Sequence, residues 1–417
     1  MLTEKELERA VKVLTDRLHD VNILYIRKVA EAIKKVGQLN STNMNRLVIM
    51  AEMGTDIAEI NQALQNATAL NVRDLMQIYQ AALQSVYYDP RFAQFLPPAS
   101  APALPPTQTP RLPTVNPPIF TPGAGIGGTQ GPPTLSQMGL GRLNRMAQNV
   151  AMQTAQSMVN LSNTTIVSTT YRDAVDQAIL AVNSGVDDYK SATRNIIQNI
   201  GYNGMQVQYP SGYRRRLDTA VRQNVINGAN QINKQGSIIM GEELGFNAYE
   251  LSAHLMSAPD HEPVQGHVFL KNQFERMQSG QDCYDVDGNH YAGFRRPIAE
   301  WNCMHFPAPF DTRYSTRRYT DAQLAEWAKS NKVGCKIGKK KYTLYKASQM
   351  MRKLETAIRW QKDAAVAAQA ADDMELRKKC QKKINAYVAQ YDAIAAAAGI
   401  RPRRDRMVVN GFRAVKI

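Results

Sequence analysis

Apolar residues recur at helical spacing along most of the chain, and the stretches between these runs differ sharply in kind. Near the amino terminus Leu7, Val11, Leu14, Leu18 and Val21 lie three or four residues apart, the repeat of one helix face. Thr3 and Glu6 stand before them at capping-box spacing. After the punctuation of Gly37 and Asn40, apolar patterns resume over Asn43 to Met53, Asp56 to Ala69 and Val72 to Val86, which read as short helices. Further on, Leu143, Met146, Val150, Thr154 and Met158 share a face, and Tyr171 to Val182 and Tyr189 to Ile200 follow as helices between loops at Gly185 and Gly201.

A Pro210-Ser211-Gly212 turn then leads into a helix expected from about Arg214 to Ile232. Its first turns carry Arg214, Arg215, Arg216 and Arg222. Cations at a helix amino terminus oppose its dipole, so these arginines are expected to serve an anionic partner or carboxylates elsewhere. A separate helix is expected from Gly236 to Leu244. The period then shortens, and Tyr249 to Ser252 and His267 to Leu270 read as strands. From Thr320 helices return, with a β-hairpin over residues 333–345. Tyr345 to Ala371 and Asp373 to Ala398 are expected to pair as an antiparallel helical hairpin closed by Gly399. The tail beyond it is expected to end in a strand.

Residues 97–134 hold twelve of the twenty prolines, the run GAGIGG and a single charge, Arg111. This composition predicts an extended polyproline-type linker. At ~3 Å per residue it reaches up to about 100 Å, far enough to hold the first domain away from the rest or to wind across a partner. The expected fold is mainly α with a small α+β module. It divides into a helical docking domain (1–96), the linker (97–134), a helical domain (135–236), the α+β module (237–311) and a basic helical hairpin with its tail (312–417).

Composition narrows the classes. A chain of 417 residues with 44% hydrophobic and 21% charged residues is long enough for several cores. No run of 18 apolar residues occurs, so no transmembrane helix and no membrane partner are expected. The start, MLTEKELERAVK, lacks an apolar signal core, and Sec-type secretion is not expected. Four cysteines at 283, 303, 335 and 380 do not form a disulfide framework. The net charge is +15, and residues 312–417 alone hold 25 Lys or Arg against 9 Asp or Glu. Such localised charge points to a polyanion, DNA before membrane because no large apolar face accompanies it. The candidate phosphate contacts are Lys339, Lys340, Lys341, Arg352, Lys353, Arg359, Lys378, Lys379, Arg403 and Arg404.

Candidate chemistry concentrates between Ser252 and Phe310, where five of the six histidines lie. Cys283, Cys303 and His305, with His254 or His261, are candidate zinc ligands, although no C-x-x-C is present and the other reading is buried thiols and hydrogen-bonded histidines in a small core. Asp260, His261, Asn289, His290, Asn302 and His305 have the residue types of a one-metal nuclease, without its spacing. Pro259-Asp260-His261 and Pro263-x-Gln265-Gly266 read as turn chemistry. There Asp260 is expected to accept from nearby backbone amides, and His261 to lock the turn by pairing with it. The turn reading is preferred, and no cofactor beyond candidate zinc is expected.

The segment SAHLMSAPDHEPVQGHVF, followed by EWNCMHF, resembles phage minor capsid proteins of the minor capsid protein 2 type, related to the Mu F-like head morphogenesis proteins. That family typically shows S-A-H, R-P-D-H, W-Q-G-K and W-N-C-x-H. NLSNTT, AVNSGVDDYKSATRNII, YPSGYRRRLDTAVRQNV and KKYTLYKASQMMRKLETAIR are similar to further stretches of it, in the same order, so the likeness covers nearly all of the chain but the linker. Ala258 replaces the usual arginine, Val264 the tryptophan and His267 the lysine, which compromises any site needing that arginine. The resemblance implies a non-enzymatic virion component, made in the bacterial cytoplasm and held inside the phage head near the portal. Its expected partners are the portal protein, other capsid proteins and packaged DNA. The alternative is a metal-dependent DNA-processing enzyme carried in the head.

Overall fold

The computed structural model describes residues 4–37, 43–69, 72–87, 137–183, 189–293, 296–298, 300 and 303–417. Thr3, residues 97–134 and Asn302 lie outside them. The fold is mainly helical. The first helix, α1 (Glu4–Gly37), buries Val11, Leu14, Leu18 and Val21, the face its spacing predicted, and extends it through Ile26, Val29 and Ile33. It packs against α2 (Asn43–Thr68), α5 (Ser168–Asn183), α6 (Tyr189–Asn203), α7 (Leu217–Glu243) and α10 (Leu344–Ala370). Helix α3 (Val72–Tyr87) lies on α4 (Gln137–Asn163) and α7, where Tyr79 Oη and Thr154 Oγ1 meet at 2.9 Å.

Helices from both sides of residues 97–134 thus share one hydrophobic core, from Val11 in α1 and Leu75 in α3 to Met158 in α4 and Ile232 in α7. The described amino-terminal helices do not sit apart from the rest; burial of α1 on five partners outweighs any separation that the proline-rich stretch would permit.

Several local expectations change. Helix α2 runs unbroken through Gly54, where two shorter helices were expected. Helix α7 likewise passes through Gly236, which is buried; packing outweighs the ~1 kcal/mol that a helical glycine costs relative to alanine. Arg214–Arg216 does not begin that helix but forms strand β2, paired with β1 (Gln206–Gln208) in a two-stranded hairpin. Helix α6 continues to Asn203, past Gly201.

The small module holds a three-stranded antiparallel sheet, β3 (Ala248–Leu251) flanked by β4 (Val268–Leu270) and β7 (Pro307–Phe310). Strand β7 reads PAPF and escaped the sequence pattern. Its prolines are tolerated because it is an edge strand. Helix α8 (Lys271–Gln278) and the short hairpin β5 (Cys283–Tyr284) and β6 (His290–Tyr291) close over a second core of Tyr249, Leu251, Val264, Phe269, Phe274 and Met277.

Helix α9 (Asp321–Val333), the hairpin β8 (Cys335–Ile337) and β9 (Lys340–Tyr342), and the pair α10 and α11 (Met374–Ala398) follow as predicted. Gly399 closes α11 in the left-handed conformation at φ 63°. The expected carboxyl-terminal strand is absent. Arg404–Met407 is a 3-10 turn instead, and Val409 packs with Ile23 of α1 and Val366 of α10, so the tail spends its apolar residues on helices rather than on a sheet edge.

Candidate functional site

Two short segments build the polar centre of the module. The turn after β3 is closed by His261 and Glu262 amides donating to the Ala258 carbonyl at 2.9 and 2.8 Å, and by the Gly266 amide donating to Leu251 O at 2.9 Å. Gly266 sits at φ 72°, a left-handed position suited to glycine. The second segment, residues 303–306, enters β7. Together they bury His261, Cys303 and His305 to 1%, 3% and 3% exposure.

The hydrogen bonds fix both imidazole tautomers. His261 Nε2 lies 2.9 Å from the Arg296 carbonyl, which can only accept, so Nε2 carries the proton. His305 Nε2 lies 3.2 Å from both Gln265 Oε1 and Ser257 Oγ, and the Gln265 oxygen accepts the His254 backbone amide at 3.1 Å. That amide identifies the atom as oxygen, so His305 Nε2 also donates. Both Nδ1 lone pairs are then directed at one sulfur, Cys303 Sγ, at 3.4 Å from His261 and 3.5 Å from His305. These are the atoms among the described residues that could hold a metal ion, all within 4.8 Å of one another. Burial lowers the pKa of His305 well below its ordinary value, helped by His254 and His261, and burial also lowers that of His261; both rings are neutral near pH 7.

Other predicted residues take supporting places. His254 stacks on His305 with ring centroids 4.4 Å apart. Asp260 does not serve backbone amides alone. Its carboxylate takes two bonds of 2.8 Å from the Arg296 guanidinium, which hold its pKa below the usual range. His261 Nε2 is 3.8 Å from that carboxylate and spends its proton on Arg296 O, so the lock on the turn is Arg296 rather than the Asp260–His261 pair. Arg296 was missed by sequence reasoning, which has no local signal for a partner 36 residues away.

Cys283 is not brought to the cluster. It lies in the apolar core with Phe269 and Met277, and burial pushes its thiol up to about 11. The nuclease constellation also separates. Asn289 bonds to Asp285 and His290 to Asp282, both within the β5–β6 hairpin.

The predicted basic residues fall into several places. Arg352 and Arg359 of α10 line a cleft of about 580 Å³ together with Arg214 and Arg215 of β2, Arg222 of α7 and Arg406 of the tail. The cleft has eight lysines and arginines on its walls against four carboxylates. Arg216, between them, turns inward and meets Asp363 at 2.6 Å, the buried carboxylate role expected for part of this cluster. Lys378 and Lys379 line a second groove with Lys382, Lys383 and Arg194. Lys339, Lys340, Lys341 and Lys353 are exposed on the β8–β9 hairpin and α10. Arg403 pairs with Asp405 at 3.0 Å, and Arg404 with Asp392 at 2.8 Å.

No curated protein and no solved structure matches the chain. The family model described as phage minor capsid protein 2 matches residues 129–394, a range that takes in the helices from α4 to α10, the whole α+β module and most of α11, and leaves α1, α2 and α3 outside. With more than half of its length matched, the chain belongs to the phage minor capsid protein 2 family, structural proteins of the virion.

Proposed function

We propose that this minor capsid protein docks on the portal or the inner shell of the head and contacts packaged DNA through phosphates. The observation that supports the reading is the arginine-lined cleft, where Arg214, Arg215, Arg352 and Arg359 from two distant chain segments face one space. Cations gathered on one concave surface favour a polyanion, and guanidinium groups suit phosphate oxygens through paired hydrogen bonds. The second basic groove around Lys378 and Lys379 extends the same chemistry to α11. The helices outside the family match, α1 to α3, are the part proposed to meet the portal or other capsid proteins. No observation favours the DNA-processing reading, because its candidates among the described residues are divided between the buried cluster and the β5–β6 hairpin.

Deleting residues 312–417 is a poor test, since Ala364, Ala367 and Cys380 belong to the main core. Charge substitution in the cleft leaves the apolar core untouched. The full chain with Arg214, Arg215, Arg352 and Arg359 changed to Gln should bind duplex DNA more weakly, and the slope of log affinity against log salt should shrink by about 0.9 per lost phosphate contact. Unchanged affinity and slope would refute the cleft as the DNA contact. Docking is tested by native mass spectrometry of the full chain with the portal protein of the same phage; absence of a complex at micromolar concentration counts against it.

A further inference from the structure

We propose that His261, Cys303 and His305 hold one transition-metal ion, zinc by ligand type, which staples the turn after β3 to the segment entering β7. Three features of the geometry carry this. The first is distance. With Zn–S of about 2.3 Å and Zn–N of about 2.0–2.1 Å, a tetrahedral site has a sulfur-to-nitrogen edge of about 3.5 Å. The two edges here are 3.4 and 3.5 Å, so both sulfur-to-nitrogen edges already match those of a bound ion, and the three donors lie within 4.8 Å of one another.

The second is proton arithmetic. Both imidazoles commit their Nε2 protons outward, to Arg296 O and Gln265 Oε1, and turn Nδ1 inward. The Cys303 thiol has one proton and can give it to one of these nitrogens at a time. A metal ion replaces that proton and engages the sulfur and both lone pairs at once. The His305 backbone amide also points at Cys303 Sγ, at 3.4 Å, and complements the charge of a thiolate.

The third is the outer layer. Metal-bound histidines are oriented by an acceptor on the far ring nitrogen, and here a carbonyl and a side-chain amide supply it. His254 lies outside the ligand group; its ring stacks on His305 and its Nδ1 faces Leu255 O at 3.1 Å, so it braces a ligand. Three protein ligands leave the fourth corner to water or another small donor. The soft sulfur with two imidazoles selects zinc over magnesium or calcium. Binding displaces the Cys303 proton to solvent, which balances the step.

Elemental analysis of the full chain, purified without chelator from zinc-supplemented cells, should find about one zinc per chain. After exchange with Co²⁺, a near-ultraviolet thiolate-to-cobalt charge-transfer band should appear. That band should vanish in Cys303→Ser and persist in Cys335→Ser, whose thiol lies in the separate helical-hairpin core. Gln265→Leu should weaken Co²⁺ affinity roughly 10- to 100-fold. Soluble wild-type protein with neither stoichiometric zinc nor a cobalt band overturns the proposal, even where Cys303→Ser fails to fold. So does a band that survives Cys303→Ser.

Discussion

Replacing Gly201 by alanine should destabilise the protein, although the same change at Gly54, where there is open space, should do the opposite. A helical glycine exchanged for alanine ordinarily gains up to about 1 kcal/mol from backbone entropy. At Gly201 the added Cβ would lie 2.5 Å from the backbone nitrogen of Ala364 and 2.8 Å from its Cβ, with Ala364 Cα nearer still. Carbon contacts need about 3.5–4.0 Å, so α6 and α10 must part by roughly 1 Å along their contact. Overpacking of this kind costs about 1–3 kcal/mol, and backbone atoms on the far side cannot swing away. The net expectation is a loss of about 1–2 kcal/mol. Gly54 in α2 is the control, because a Cβ there meets nothing within 4 Å; Gly54→Ala should gain about 0.5–1 kcal/mol. Urea unfolding followed by far-ultraviolet circular dichroism measures both. If the two variants shift the midpoint in the same direction, the close approach of α6 to α10 is wrong.

Three other outcomes follow from the charged pairs and the thiols. Asp363→Ala removes a fully buried carboxylate from Arg216, and should cost about 3 kcal/mol, the low end for a broken buried pair because Asp218 still faces the guanidinium; a loss below about 1 kcal/mol would show that the pair is not buried. Asp260 has a folded pKa below its ordinary 3.8 because of Arg296, so its stabilisation is present above that value and lost as pH falls through the depressed one. Acid unfolding curves of wild type and Asp260→Asn should therefore differ at pH 6 and converge at low pH, and curves that stay parallel count against the pair. All four cysteines are buried, and burial pushes Cys283 and Cys380 up to about 11; a bulky thiol reagent should modify none of them before unfolding, and rapid labelling of any one in native protein contradicts its placement.

Helices were legible in the sequence wherever one apolar face repeats, as in α1, α4 and the α10–α11 hairpin. Errors came where a residue's local preference competes with burial. Gly54, Gly201 and Gly236 read as breaks, yet each lies inside a helix, because glycine also serves close packing and its helical cost is small. The edge strand Pro307–Phe310 was hidden by its prolines. At the polar centre, composition found His261, His305 and Cys303 but could not separate Cys303 from Cys283. Both are buried cysteines in one short stretch, and only the fold decides that one faces imidazoles and the other Phe269 and Met277. Arg296 and Gln265 act across 36 and 40 residues, a separation no local pattern encodes.

The shared core on both sides of residues 97–134 has a consequence for how this chain tolerates change. Helix α3 ends at Tyr87 and α4 starts at Gln137, and the two pack together in the shared core, so packing as well as chain continuity holds the two sides to each other. Cleaving the chain between Tyr87 and Gln137 should therefore leave two fragments that stay associated through that core. Each side completes the apolar surface of the other, so neither is a module that could be moved alone to another chain.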